Sequence, residues 1–119
     1  MSNPSIFFSF LGVLFSSAML GQNDLALQGV IDFTVPTGGS DGKAVHLIAV
    51  NDVSDLSLYG IGVANNGGGT DGQEYTFPVS SVSAGDDILV VRTLSAMEAY
   101  FTTCFGEFEH VFVDASGAI

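Results

Sequence analysis

Short apolar stretches that follow acidic or glycine-centred turns constrain the fold of this chain most strongly. Residues 55–63 (Asp-Leu-Ser-Leu-Tyr-Gly-Ile-Gly-Val) and 82–91 (Val-Ser-Ala-Gly-Asp-Asp-Ile-Leu-Val-Val) each run from such a turn into apolar or β-branched side chains. Stretches of this length, bounded by turns, are typical of β-strands. The sequence therefore predicts an all-β fold, a sandwich whose core is built from alternating side chains.

The N-terminal part differs from the rest in charge. Residues 1–23 contain no charged side chain, whereas the remainder holds all 13 carboxylates. Residues 6–15 are mostly apolar and precede small residues that signal peptidase accepts, but a membrane span needs about 20 apolar residues. We predict a signal peptide over residues 1–21, export to the medium or cell surface, no transmembrane segment, and one domain over residues 22–119. A buried N-terminal strand or helix is the alternative.

Charge and cysteine content limit the partners. Two Lys or Arg against 13 Asp or Glu give a formal net charge of −11, which repels phosphate backbones, so we expect no direct contact with nucleic acid. A protein or cell-surface partner is the expectation, with the oligomeric state open. Cys104 has no second cysteine to pair with in this sequence, so it is a buried thiol, which is the commonest case, an intermolecular link, or half of a pair whose partner lies outside these residues.

Alternation along the chain predicts the first strands. Residues 29–35 place Ile31, Phe33 and Val35 on one face, and residues 43–50 place Val45, Leu47 and Ala49 on one face with Lys43, and His46 and Ile48 on the other. A third strand over residues 58–64 carries Gly60 and Gly62 on one face, where another backbone or a bulky ring can approach closely. A glycine-rich loop over residues 65–72 leads to a return strand at residues 75–77, and residues 88–91 form a strand buried on both faces.

One helix is predicted between the last strands. Ser95 and Glu98 have the spacing of a capping box, and good helix formers continue to Thr102. Met97, Tyr100 and Phe101 recur at helical spacing for the core side. The helix would be a crossover to a final strand at residues 109–114.

The order of these motifs resembles the lamin tail domain of secreted bacterial proteins. The resemblance rests on Lys-Ala-Val at residues 43–45, Asp-Leu-Ser-Leu-Tyr at 55–59, and Val-Ser-Ala-Gly-Asp at 82–86 before the strand 88–91. It covers roughly residues 28–119 and implies an immunoglobulin-like β-sandwich. Relatives continue into a further turn and strand, so we expect the domain to be truncated at its C-terminus. They often carry Glu where this chain has His46.

Several groups of side chains share residue types or spacing with functional motifs. Gly67, Gly69 and Gly72 have dinucleotide-fingerprint spacing, but a strand follows them, so no cofactor is predicted. Cys104 and His110 lack the third group that catalysis needs and the four ligands that zinc needs, so no catalytic residue is predicted. Acidic loop residues offer oxygen ligands for calcium, with solvated turn aspartates as the simpler interpretation. The weak calcium candidates are Asp52, Asp55, Asp71, Glu74, Asp86 and Asp87.

Three functions remain open at this level. The favoured one is a non-catalytic, secreted or cell-surface β-sandwich module with a structural or interaction role. An N-terminal accessory domain of a longer extracellular hydrolase, such as a nuclease, is the alternative that bacterial members of the resembled family suggest. A calcium-binding surface domain is the third.

Overall fold

A computed structural model describes residues 24–34, 39–64, 67–69 and 72–119. These residues are mostly β-sheet with one short α-helix. The strands are β1 (Leu25–Phe33), β2 (Gly42–Ala49), β3 (Gly60–Ile61), β4 (Tyr75–Thr76), β5 (Asp87–Val91) and β6 (His110–Val113); the helices are α1 (Leu94–Phe101) and the 3-10 helices Leu56–Leu58 and Thr102–Glu107. No helix in the described part of the chain is long and apolar enough to cross a membrane. The predicted signal peptide, residues 1–21, lies outside the described residues.

Two sheets form. The larger has the order β1-β2-β5-β6, with β1, β2 and β5 antiparallel and β6 parallel to β5. The smaller pairs β3 with β4 as an antiparallel hairpin. Parallel neighbours require a crossover, and α1 with the 3-10 helix Thr102–Glu107 supplies it between β5 and β6. The predicted helical crossover is therefore confirmed.

One apolar core lies between the two sheets. Val45 and Ala49 of β2 and Val90 of β5 pack in one buried cluster with Tyr75 and Phe77 at the hairpin. Two sheets that enclose a core in this way are compatible with a β-sandwich.

A second core lies on the opposite face of the larger sheet. Leu89 and Val91 pack there with Met97 of α1, and Phe101 and Phe108 close its side. Because Ile88 and Val90 point into the first core, both faces of β5 are covered, and residues 88–91 are all 0% exposed. This confirms the prediction of a strand buried on both faces.

The start of β1 departs from the prediction. The strand begins at Leu25, four residues before the expected start at Gly29, and its pairing with β2 shifts register between Leu27 and Gly29. The extra residue, Gln28, makes a β-bulge. The predicted alternation is confirmed for residues 29–33, where the strand ends, and Val35 lies outside the described residues. Before Gln28 the alternation is out of phase, which hid the first part of the strand.

The predicted capping box at Ser95 is wrong. Helix α1 begins at Leu94, and its N-cap is Thr93, which makes no side-chain cap hydrogen bond. The Thr93 hydroxyl instead donates to the Asp41 carboxylate at 2.9 Å. A tertiary contact at the end of β5 therefore determines where the helix starts. Tyr100, expected in the core, is half exposed.

Gly60 confirms the expected close approach of another backbone. A Cβ at this position would overlap the Gln73 side chain and the carbonyl oxygen of Tyr75. The glycine-rich loop also follows expectation, since Gly67 and Gly69 have positive φ angles of 71° and 89°.

Candidate functional site

Two of the calcium candidates accept hydrogen bonds from turn residues. Asp52 Oδ1 accepts from the backbone amide of Ala84 at 2.8 Å. Asp55 Oδ1 accepts from the amide of Ser57 at 2.9 Å and from its hydroxyl at 2.6 Å, capping the first 3-10 helix. Asp52 therefore braces the turn before β5, and Asp55 braces the loop before β3.

The candidates of the hairpin are separate from these. Glu74 Oε2 accepts from the amide of Val63 at 2.9 Å, which ties together the two sides of the hairpin. Asp71 lies outside the described residues. In the described part of the chain, no three His, Cys, Asp or Glu side chains are grouped so that they could hold a metal ion.

Asp86 and Asp87 are each paired with a histidine. Asp86 Oδ2 accepts from the Ser83 amide at 2.9 Å and lies 2.9 Å from His110 Nε2. Asp87 Oδ1 lies 2.7 Å from His46 Nε2. Sequence reasoning did not find these pairs, because more than twenty residues separate the partners along the chain.

The two histidines do not converge on one site. His46 lies opposite Leu89, and His110 lies beside Ile88 in the sheet register. Successive residues of a strand point to opposite faces, so the two His–Asp pairs lie on opposite faces of the larger sheet. Each pair joins neighbouring strands at one end of β5.

Hydrogen bonding explains the electrostatics of these turns. The Ser83 amide and then the His110 side chain stabilise the Asp86 carboxylate and hold its pKa below the ordinary value. The Ser57 hydroxyl and amide lower the pKa of Asp55 in the same way. These carboxylates are stabilised as anions that brace turns.

Cys104 and His110 lie in different surroundings. Cys104 is exposed in the 3-10 helix Thr102–Glu107, so the expectation of a buried thiol is wrong. The exposure follows from the crossover, which puts its aromatic residues against the sheet and leaves Cys104 on the outside. The imidazole of His110 is engaged by Asp86.

An open apolar groove lies along β1, the edge strand of the larger sheet. It has a volume of about 480 Å³ between β1 and β2 on one side and residues 61–64 on the other. Its apolar lining includes Leu27, Val30, Val45, Val63 and Ile119.

The bulge at Gln28 orients the wall of the groove. Leu27 pairs with Leu47, and after the bulge Val30 pairs with Val45, so all four side chains share the face that bounds the inner core. Leu27 and Val30 are nevertheless 62% and 64% exposed. The change of phase between them along the sequence is the signal that could have revealed the bulge and this apolar row.

One end of the groove is set by residues 114–119. Arg92 Nη2 donates to the carbonyl oxygens of Gly117 and Ile119, each at 2.5 Å, and the buried Asp114 carboxylate accepts from the Ile119 amide at 2.9 Å. Burial favours the neutral form of Asp114, but bonds from Ser116 and then Ile119 outweigh it and lower its pKa. These contacts hold the Ile119 side chain at the groove and in the inner core.

Comparison with known proteins produced no match: no protein-family model, no curated protein and no solved structure aligns with this chain.

Proposed function

We propose that this chain is a non-catalytic, secreted or cell-surface β-sandwich module that binds a protein partner. The proposal includes an immunoglobulin-like arrangement related to the lamin tail domain. Supporting this relation, the motif at residues 43–45 lies in β2, the motif at 55–59 spans the first 3-10 helix, and the motif at 82–86 forms the turn before β5.

The open apolar groove is the observation that carries the interaction role. In a sandwich, side chains on the inner faces of the sheets are normally covered by the opposite sheet. Leu27 and Val30 lie on such a face and remain more than half exposed. Exposed contiguous apolar surface of this kind marks interaction sites.

The polar groups support a scaffold role instead of a catalytic one. The carboxylates of Asp52, Asp55 and Asp86 accept backbone amide hydrogen bonds from turns. Both histidines are engaged by aspartates on opposite sheet faces. These side chains stabilise loops and strand ends of the fold.

Site-specific photo-crosslinking tests the interaction role. A benzophenone amino acid is introduced in place of Val30, and in a matched variant in place of Val79, which is 80% exposed and does not line the groove. After irradiation of intact cells that express the protein, adducts are detected with an antibody against the chain. We expect cell-surface or medium adducts from position 30 and few from position 79.

Two results would contradict the proposal. Equal adduct yields from both positions would show that contact at the groove is not specific. Adducts confined to the cytoplasm would contradict a secreted or cell-surface module.

A further inference from the structure

We infer that the groove binds an extended, cationic segment of another protein, which adds as a strand to the free edge of β1. This inference rests on the proposed function and names the chemistry of the partner.

β1 lies at one edge of the larger sheet. In the described residues it pairs with β2 alone, and the sheet order places it at the end of the larger sheet. An edge strand presents backbone N–H and C=O groups that can pair with an incoming strand. At nine residues, β1 is long enough for a typical strand of about five or six residues to pair along it.

The apolar row gives such a strand a place for its side chains. In strand addition, main-chain hydrogen bonds supply affinity and pockets for alternate side chains supply specificity. Leu27 and Val30 line the groove beside the free edge, with Ile61 and Val63 across from them. Strands β3 and β4 have only two residues each, so the small sheet leaves this space beside β1 open.

Charge favours a cationic segment. The formal net charge is −11, and the chain's two Lys or Arg are both engaged. Lys43 Nζ lies 3.0 Å from Asp32 Oδ1, and Arg92 is held by carbonyl oxygens of residues 117 and 119. Lys43 and Asp32 both line the groove as this ion pair, and Asp32 is the more exposed of the two. A positively charged partner is therefore attracted at long range by the net charge and meets the exposed Asp32 carboxylate beside Lys43.

The same charge disfavours a second copy of this chain. Pairing two β1 edges would bring together two molecules of charge −11, with an Asp32 on each approaching edge. Charged residues that point inward on an edge strand are a known protection against self-pairing. The edge of β1 therefore favours pairing with a cationic strand over pairing with the β1 edge of a second copy.

Fluorescence anisotropy with synthetic peptides tests the inference. The protein is purified from the cells or medium in which it accumulates, without further truncation. The probe is a labelled peptide of about seven residues that alternates lysine and valine. One control replaces lysine by glutamate, and a second replaces the central valine by proline, which removes a main-chain donor. We expect binding of the lysine probe alone, weakened when the salt concentration rises from about 0.1 to about 1 M.

Matched variants locate the binding. Val30→Asn and Leu27→Asn change exposed groove residues without altering the charge, and should weaken binding of the lysine probe about tenfold or more, because each removes an apolar contact from the bound state. Val79→Asn and Leu58→Asn make the same change at exposed positions outside the groove and should leave the affinity unchanged. Circular dichroism confirms that each variant is folded. Hydrogen exchange should show new protection of the β1 amides when the lysine probe binds.

Four results would overturn the inference. These are equal binding of the lysine and glutamate probes, undiminished binding of the proline probe, equal losses in groove and control variants, and a dimer that Val30→Asn abolishes. If photo-crosslinking at position 30 still yields a partner in such a case, the interaction module stands and only the cationic strand is wrong. If no position-specific adduct forms, the proposed function itself fails.

Discussion

Strands β1 and β5 are both rich in apolar residues, yet they differ in how far these residues are buried. Residues 88–91 of β5 are completely buried, with β2 and β6 as neighbours and a core on each face. Leu27 and Val30 of β1 are more than half exposed, because among the described residues β1 has β2 as its one neighbour and the small sheet is too short to cover it. Apolar composition alone therefore does not distinguish a strand that stabilises the fold from one that is available to a partner.

The largest expected effect separates the two strands by stability. Leu89→Ala should lower the free energy of unfolding by about 2–5 kcal/mol, because Leu89 is 0% exposed and its loss leaves a cavity under Met97. Val30→Ala should change it by less than about 0.5 kcal/mol, as is usual for exposed side chains. Urea denaturation of both variants measures the difference. Comparable losses would mean that β1 is buried in solution and would break the contrast.

A smaller effect on stability tests how much the β3–β4 hairpin contributes by packing over β5. Gly60→Ala should destabilise the protein by about 1–3 kcal/mol, because its Cβ meets the Tyr75 carbonyl and forces the hairpin open. Gly29→Ala in β1 is the matched control, since nothing lies within 4 Å of a Cβ there. Thermal unfolding of the two variants gives the comparison. A Gly60→Ala protein as stable as the Gly29→Ala protein would show that the hairpin contributes little to the inner core.

Acid stability tests a feature that the two strands share, since each begins beside an anchoring carboxylate. Tyr59 and then Asn51 lower the pKa of Asp24 before β1, as Ser83 and His110 lower that of Asp86 before β5. A carboxylate with a folded-state pKa below its unfolded value of about 3.9 contributes stability above that pH. The contribution is lost as the pH falls through the lower, folded-state pKa.

The expected result is that the stability of the native protein declines below about pH 4. Asp24→Asn and Asp86→Asn should each reduce this decline, and His110→Gln should reduce it less than Asp86→Asn because the Ser83 amide remains. Denaturation midpoints measured from pH 6 to 3, about the range of carboxylate titration, test this. An unchanged decline in Asp86→Asn would show that Asp86 does not anchor β5.

Local sequence patterns predicted which residues form strands and turns better than they predicted which elements contact each other. The alternation after Gly29, the turn at Gly85 and the close approach at Gly60 all appear in the structure. Each depends on side chains or φ angles within a few residues, which a sequence displays directly. The start of α1 did not follow its local signal, because Thr93 is held by Asp41, 52 residues away.

Local patterns did not predict the groove, because most of its structure depends on contacts between residues far apart in the chain. Its wall requires a bulge at Gln28, and its opposite side comes from the segment after β3. Its end requires Arg92 to hold residues 117 and 119. The change of phase at the bulge is visible in the sequence, but the other two contacts have no local sequence signature. The turn amides that Asp52 and Asp55 bind have none either, so residue type alone predicted calcium ligands there.

By itself, the sequence determined that this chain is acidic, which strands alternate and where glycines allow turns, because charge, side-chain period and backbone sterics are local properties. Only the tertiary structure decided that β5 lies inside the sheet and β1 at its edge. Which strands pair depends on the total burial of residues far apart in the chain. In the described residues, this pairing leaves Leu27 and Val30 exposed on an edge strand.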